Sequence, residues 1–307
     1  MREEPLVSIA LCTYNGTKFI RKQLDSILDQ THKNLEIVVV DDCSTDDTYK
    51  IISDYAEKDN RLRCYKNEVN QGYNKNFEKA ISFTTGNYIA ISDQDDIWMP
   101  HKITSLLERM GDNWLIFSNS YYINDEDERI REERTLVMGL DLASSNYKSL
   151  LLTNYVTGHT TLFKREFINY FLPFPEKGFY DWWMGFIALY HQKIAFLDEV
   201  LTKYRIHEAS VIQKRNNSGQ EKREVIKTID QTLSIFAEYK RLEDEDAAFI
   251  AGLRDAYRAN FSQKKSWPLV NVILKNYKEL FYDHKVRKGL SLLNFAVKYA
   301  RKARKFA

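Results

Sequence analysis

Two phosphate-binding signatures are missing from this chain: no Gly-x-Gly-x-x-Gly follows the first strand signal, and no Gly-x-x-x-x-Gly-Lys-Ser/Thr occurs anywhere. The first absence argues against a dinucleotide-binding oxidoreductase, the second against a P-loop phosphotransferase. Glycine and proline are scarce, 11 and 5 in 307 residues, which excludes collagenous and low-complexity chains. The 3 cysteines, Cys12, Cys43 and Cys64, have no metal-knuckle spacing and lie in or beside apolar runs, so they read as buried free thiols in a reducing compartment. No apolar window approaches the roughly 18 residues of a membrane span. Met1-Arg2-Glu3-Glu4-Pro5 leads straight into a strand signal, without room for a secretory leader. The expected location is the cytoplasm, free or peripheral on the inner face of the cell membrane.

What is present fits a folded enzyme-sized chain. Hydrophobic residues make up 44% and charged residues 29%, and the length allows one large domain or a catalytic domain with an appendage. The 19 Tyr, 17 Phe and 5 Trp suit a core, a carbohydrate-stacking surface or a membrane interface, and composition does not choose among them. The net charge of +2 hides an asymmetry: residues 264–305 carry +10 and residues 1–263 carry −8.

Strand and helix signals alternate through the first hundred residues. Leu6 to Cys12 reads as a strand, followed after Asn15-Gly16 by a helix with Phe19, Ile20, Leu24, Ile27 and Leu28 at spacings of three and four. The unit recurs as a strand Leu35 to Asp41 with a helix near Asp46 to Glu57, then a strand Leu62 to Tyr65 with a helix near Asn74 to Thr84. A fourth strand, Tyr88 to Ser92, runs into Asp93-Gln94-Asp95-Asp96, and Pro100 suits the first turn of the next helix. This tempo predicts an α/β fold with a mostly parallel sheet flanked by helices, and ligands gather beyond the strand C-termini of such sheets. Later signals are a strand at Trp114 to Ser118, a solvent-facing hairpin or loop at Asn124 to Arg134, a short helix at Tyr147 to Leu152, a strand at Thr160 to Phe163, a helix at Tyr180 to His191 and a strand at Ile194 to Leu197.

Three carboxylates in Asp93-Gln94-Asp95-Asp96 repel one another unless a cation or well-placed donors compensate. An Asp-x-Asp pair at a ligand edge can hold Mg²⁺ or Mn²⁺ together with a pyrophosphate; an acidic turn capping a helix is the alternative. Asp41-Asp42 ends the second strand where ribose-binding acids often stand. The remaining reading is a nucleotide site whose phosphate charge is met mainly by a cation.

The ordered set Val7 to Gly16, Gln30-Thr31, Asp41-Asp42-Cys43-Ser44-Thr45-Asp46, Asn70-Gln71-Gly72 and Ser92 to Trp98 resembles the family 2 inverting glycosyltransferases of the GT-A fold, most of all bacterial rhamnosyltransferase-type members. The resemblance spans residues 5 to about 210. It implies that Thr13, Tyr14, Asn15 and Asp42 frame the nucleoside, that Asp93 contacts ribose or metal-bound water, and that Asp95 binds the cation bridging the phosphates. Asp181 matches the base that deprotonates the acceptor hydroxyl, although Tyr180 stands where the commoner members carry Glu or His. Arg205 and His207, in Tyr204-Arg205-Ile206-His207, match a segment closing over the pyrophosphate, with Arg205 neutralising phosphate oxygens and His207 contacting phosphate or completing the metal shell. Gly158 matches a glycine that lets the backbone approach the donor sugar or the acceptor. Asp96 is assigned to orienting the helix start or to the acceptor side, and Trp182 and Trp183 to stacking on acceptor sugar, with one of the two expected to pack inward. Without the family, Asp181 would read as a helix cap and Arg205 and His207 as surface residues. The implied donor is a dTDP or UDP sugar, with dTDP-L-rhamnose as the leading choice and UDP-hexose or UDP-N-acetylhexosamine as the alternative. The implied acceptor is a glycan on a polyprenyl diphosphate. A non-catalytic carbohydrate-binding or scaffold protein is the reading from another class.

The catalytic domain is expected over residues 1–215 and a helical extension over 216–307. Ile226, Ile229, Leu233 and Phe236 trace one helical face; Phe249, Ile250, Leu253, Tyr257 and Phe261 trace another. In the basic tail, Leu269, Ile273, Tyr277, Leu280 and Phe281, then Leu292, Leu293, Ala296, Val297 and Ala300, repeat the pattern beside Lys298, Arg301, Lys302, Arg304 and Lys305. Such helices suit an anionic membrane interface or a packing and homo-oligomerisation module. Nucleic-acid binding is disfavoured, because no recognised module accompanies the charge.

Overall fold

The computed structural model describes residues 4–134, 142–207, 219–262, 265–282, 284 and 286–305, and the chain divides into two compact units. The first holds the chain up to Ala143 together with Tyr155–His207; the second holds Ser144–Asn154 and the chain beyond His207. The boundary expected near residue 215 lies outside the described residues.

The first unit opens as the alternation predicts: β1 (Val7–Thr13), α1 (Ile20–Leu28), β2 (Leu35–Asp41), α2 (Thr48–Ala56), β3 (Leu62–Lys66), α3 (Tyr73–Ser82) and β4 (Tyr88–Ser92). It continues with β5 (Ile97–Trp98), α4 (Lys102–Met110), β6 (Leu115–Ile123), β7 (Arg129–Arg134), β8 (Thr161–Lys164), α5 (Ile168–Phe171), α6 (Tyr180–Tyr190) and β9 (Ile194–Arg205). The sheet order is β3-β2-β1-β4-β8-β6-β9-β5, with β7 paired to β6. β3, β2, β1 and β4 are mutually parallel, which accounts for the near-continuous apolar runs of β1 and β2: both faces are covered. Ile9, Leu11, Ile37, Val39, Ile20, Leu24 and Ile27 share one buried cluster. Each such side chain removed from water contributes about 1.5–3 kcal/mol.

The other half of the sheet is mixed. β8 lies antiparallel between β4 and β6, while β6 and β9 run parallel to each other. The C-terminal ends of β1, β2, β4, β6 and β9 and the N-terminal end of β8 therefore meet at one edge. Sequence periodicity marked β9 only at Ile194 to Leu197; the strand runs on to Arg205 because its polar second half pairs with β6 through two register shifts. α4 starts at Lys102, so Pro100 precedes the helix instead of opening it. The cysteines are free, as expected, but half-buried where full burial was expected.

In the second unit α7 (Gly219–Ala237), α8 (Asp244–Ser262), α9 (Trp267–Leu280) and α10 (Gly289–Lys305) pack on one another. Tyr147 donates its hydroxyl to Asp246 (2.6 Å) and Lys148 pairs with Glu279 (3.1 Å), tying the short Tyr147–Leu150 turn to α8 and α9. Leu269, Ile273, Tyr277, Leu280 and Phe281, which the sequence allowed to face either a membrane interface or packed helices, are buried inside this unit, as are Ala296 and Ala300. No helix among the described residues is long and apolar enough to cross a membrane.

Candidate active site

Three loops leave the sheet edge and lock together before any ligand arrives. After β1, the Tyr14 N–H donates to Gln94 Oε1 (2.9 Å) and the Gln94 amide donates back to the Tyr14 carbonyl (3.0 Å), so Gln94 pairs like a strand residue. A Cβ on Gly16 would fall 2.2 Å from Gln94 Oε1, so only glycine admits this approach. Asn15 takes a left-handed φ of 48°, paid for by its N–H donating to Ser44 Oγ (2.9 Å) and its Oδ1 accepting the Thr45 N–H (2.9 Å). Thr13 donates its hydroxyl to Asp41 (3.0 Å). Tyr14, 48% exposed, and Asn15 are the exposed members of this expected nucleoside frame.

Asp42 is buried, and its carboxylate already accepts Asn67 Nδ2–H (2.8 Å), Gln71 N–H (2.9 Å) and Gly72 N–H (2.9 Å). In this arrangement it shapes the Asn70-Gln71-Gly72 loop; the expected contact with nucleoside would compete with these three donors.

The Asp93–Asp96 turn separates its carboxylates by environment. Burial, reinforced by the charges of Asp95 and Asp181 and opposed by Lys102, raises the Asp93 pKa to about 7. Asp96 is fully buried; Oδ1 accepts the Arg205 N–H (3.0 Å), and Oδ2 has no hydrogen-bond partner. Burial, then Asp95 and Asp93, hold its carboxyl well above the usual range. Asp96 thus holds the turn to the end of β9 through the Arg205 N–H. Asp95 Oδ2 lies 2.8 Å from His207 Nε2, and the His207 ring rests against Phe19 (centroids 5.1 Å).

Arg205 differs from its expectation. It has no exposed surface, its Nε–H donates to the Asp95 carbonyl (2.7 Å), its remaining nitrogens reach the Asn124 carbonyl and Asp127, and its guanidinium lies over Phe19 (4.4 Å). The group clamps the carboxylate turn to the β6–β7 hairpin and presents no face to a phosphate.

Asp181 occupies the first turn of α6, half-buried, accepting Gly158 N–H at Oδ2 (3.2 Å) and Trp182 N–H at Oδ1 (2.6 Å). Both Trp182 (6% exposed) and Trp183 (9%) are buried, and Trp183 Nε1–H donates to the Phe171 carbonyl (2.8 Å). Successive helix positions point about 100° apart, so two exposed indoles were not expected; both are inside because α6 is buried along nearly its whole circumference. Neither indole offers an exposed face for stacking on acceptor sugar.

Two buried residues escaped the sequence reading. Lys102 Nζ donates to the His159 carbonyl (2.5 Å) and Thr202 Oγ1 (3.1 Å) and sits 3.6 Å from the Trp98 ring centroid; burial pulls its pKa down against the pull of Asp96 and Asp93. His159 stacks on Tyr204 (centroids 4.3 Å), and burial together with Lys102 lowers its pKa to about 3, which keeps the imidazole neutral. A lysine at a helix start normally reads as solvated; the one local hint is Trp98 four residues before it.

Two acidic sets fit the divalent cation that the resemblance implies. Ligand atoms of Asp93, Asp96 and His159 lie within 4.8 Å of one another, and Asp96 Oδ2, 4.0 Å from His159 Nδ1, has no hydrogen-bond partner among the described residues. Asp95 with His207 forms the more accessible set. Lys102, whose own pKa burial pulls down, is near enough to act on both Asp93 and Asp96 of the buried set.

A parallel-sheet edge bearing acidic and imidazole groups for a cation, with a separate carboxylate on an adjoining helix, defines a GT-A enzyme that moves sugars from nucleoside diphosphates. The glycosyl transferase family 2 profile matches residues 8–171, more than half the chain, and the chain belongs to that family of inverting glycosyltransferases. The chain is 31% identical over 227 residues to the Escherichia coli UDP-Glc:alpha-D-GlcNAc-diphosphoundecaprenol beta-1,3-glucosyltransferase WfaP, covering 73% of this chain and 86% of that one. In fold it is similar to S. aureus TarS 1-349 in complex with UDP-GlcNAc, with TM-score 0.62, 20% identity, and 98% and 90% of the two chains covered. It is also similar to the mannosyltransferase PcManGT of Pyrobaculum calidifontis in complex with GDP-Man and Mn²⁺, with TM-score 0.57, 15% identity, and 98% and 81% covered.

Proposed function

We propose that this glycosyltransferase moves a hexose or N-acetylhexosamine from UDP to a hydroxyl of a polyprenyl-diphosphate-linked glycan. The observation that carries the reading is the division of labour at the sheet edge: Asp95 pairs with His207, while Asp181 is held apart by Gly158 N–H. Asp95 and His207 would hold Mg²⁺ or Mn²⁺, which offsets charge on the departing diphosphate when bound. Tyr14 and Asn15 face the nucleoside. Asp181 takes the acceptor hydroxyl proton as the oxygen bonds to the anomeric carbon and the bond from that carbon to the diphosphate oxygen breaks. Two N–H donors fix its carboxylate for that task before substrate binds.

The UDP donor is favoured over dTDP-L-rhamnose because the E. coli relative, at 31% identity, is named for UDP-Glc and a diphosphoundecaprenol acceptor. The rhamnose reading rests on motif resemblance alone. Placement against an anionic membrane follows from the acceptor's lipid and from the exposed cations Lys298, Arg301 and Lys302 of α10.

A donor panel of UDP-Glc, UDP-GlcNAc, UDP-Gal, dTDP-L-rhamnose and GDP-Man, with Mn²⁺ and α-D-GlcNAc-diphosphoundecaprenol in detergent, tests this by mass spectrometry of the products. A UDP-sugar product is expected. Transfer from dTDP-L-rhamnose alone would reverse the donor assignment. Nucleotide binding without transfer or hydrolysis of any donor would leave a non-catalytic sugar-binding protein.

A further inference from the structure

With Trp182 and Trp183 inside the fold, the flat apolar surface that a pyranose acceptor needs must come from elsewhere in the first unit. Tyr73 is among the exposed large hydrophobic residues, 45% accessible, and Phe179 is half-buried. Their rings lie within 19° of parallel with centroids 6.4 Å apart, an offset arrangement that turns two side chains into one surface.

The pair sits beside the proposed base. Phe179 is the N-cap residue of α6, two positions before Asp181, and Tyr73 opens α3. The Tyr73 hydroxyl donates to the Gly178 carbonyl (2.8 Å), and Asn74 Nδ2–H reaches the Pro175 (2.9 Å) and Gly178 (3.1 Å) carbonyls, so the start of α3 and the loop entering α6 hold one another. Behind them the Tyr180 ring packs 6.3 Å from Tyr73 and 4.7 Å from Phe77, and it fills the space a side chain at residue 158 would need. The aromatic surface is thus backed by the same residue that abuts Gly158, whose N–H orients Asp181.

We infer that Tyr73 and Phe179 form the stacking platform for the acceptor pyranose, presenting its hydroxyl to Asp181. The inference rests on the sugar-transfer reading and adds the residues that bind acceptor. Apolar C–H groups on one face of a pyranose suit an aromatic face, and an exposed, pre-anchored tyrosine loses little rotamer freedom on binding.

Replacement of either ring by leucine separates stacking from loop positioning. Tyr73→Leu and Phe179→Leu should each raise the acceptor KM about three- to tenfold, the range expected for one aromatic contact, with donor KM held within about twofold. Tyr73→Phe, which keeps the ring and loses the bond to Gly178, should raise the acceptor KM distinctly less than Tyr73→Leu does. Equal damage from Tyr73→Phe and Tyr73→Leu would overturn the platform in favour of a positioning role, and an unchanged acceptor KM in both leucine variants would overturn it outright. Saturation-transfer NMR of the wild-type chain with methyl α-D-GlcNAc, without donor, supplies a readout independent of turnover and of variant folding. Saturation reaching the pyranoside from Tyr73 and Phe179 ring protons is expected, and its absence counts against the platform. If no donor is turned over but this contact is seen, the sugar-transfer reading falls and the platform stands.

Discussion

Gly158 and Tyr180 exclude each other's growth: a Cβ on Gly158 would lie 2.0 Å from Tyr180 Oη and 2.6 Å from its Cζ. The glycine is thus fixed by an aromatic ring 22 residues along the chain, and the same backbone donates its N–H to Asp181.

Gly158→Ala should therefore move Tyr180 and with it the first turn of α6. Transfer is expected to fall by about 10- to 100-fold, as misplacement of a reacting group by an ångström does, while donor affinity changes little. Steady-state kinetics with separately varied donor and acceptor check this; an equal loss of donor affinity would move Gly158 to the donor side.

Asp95→Asn and His207→Ala should each weaken metal activation by about 10- to 100-fold in the apparent metal constant. Asp181→Asn should leave donor binding intact and lower transfer by about 10²- to 10⁴-fold. Calorimetric donor binding in Mn²⁺ beside transfer rates separates the two classes. If all three variants lose donor affinity together, the roles assigned to them are not distinct.

Arg205→Met should unfold the site before it affects donor contacts. Removing the buried cation leaves the Asp95 and Asn124 carbonyls without their donors, at about 1–3 kcal/mol for each group left unsatisfied, whereas the part-exposed Asp127 keeps Lys22. A large drop in thermal midpoint is expected. A variant of native stability with a raised donor KM alone would restore the phosphate-binding role.

His159 makes a pH prediction. Its pKa falls from an ordinary 6.5 to about 3 on folding, so the neutral ring stabilises the fold above pH 6.5 and that contribution is lost as pH drops toward 3. The stability of His159→Gln, which cannot titrate, should decline less steeply from pH 6.5 to 4.5, by up to about 1.4 kcal/mol per pH unit. Urea midpoints of both proteins across that range test it; parallel curves would mean the ring is protonated in the folded state.

The exposed basic face of α10 can be inverted without touching its buried side. Lys298→Glu, Arg301→Glu and Lys302→Glu together should lower partition onto anionic vesicles by at least about tenfold, since each cation near such a surface contributes about 1 kcal/mol, and leave the thermal midpoint unchanged. Sedimentation with vesicles reads the effect, and undiminished binding would reject α10 as the membrane-facing element.

Local pattern made the first half of the fold legible. β2 and β4 have the bounds their apolar runs mark, and α1 and α3 fall within a residue or two of their periodic signals. The second half was harder, because β9 beyond Leu197 carries Thr202, Lys203 and Tyr204 and looks like a loop until β6 supplies its partner. In the tail, pattern left membrane interface and packing module open, and the structure buries much of the apolar stripe among the helices of the second unit.

The sequence by itself determined the chemistry on offer: parallel βα units, carboxylates after the fourth strand, an aspartate at the start of an aromatic helix, and an ordered motif set that marks the family. Those are properties of residue type and short spacing, which periodicity and local turns express directly. Only the tertiary structure decided which groups are already spent. Asp42 is saturated by a loop some thirty residues away, Arg205 by partners 78 to 110 residues away, and Trp182 and Trp183 are enclosed, whereas Tyr73 is left at the surface. A hydrogen bond or a ring face can be used once, and distant chain segments brought together by folding determine where each is used.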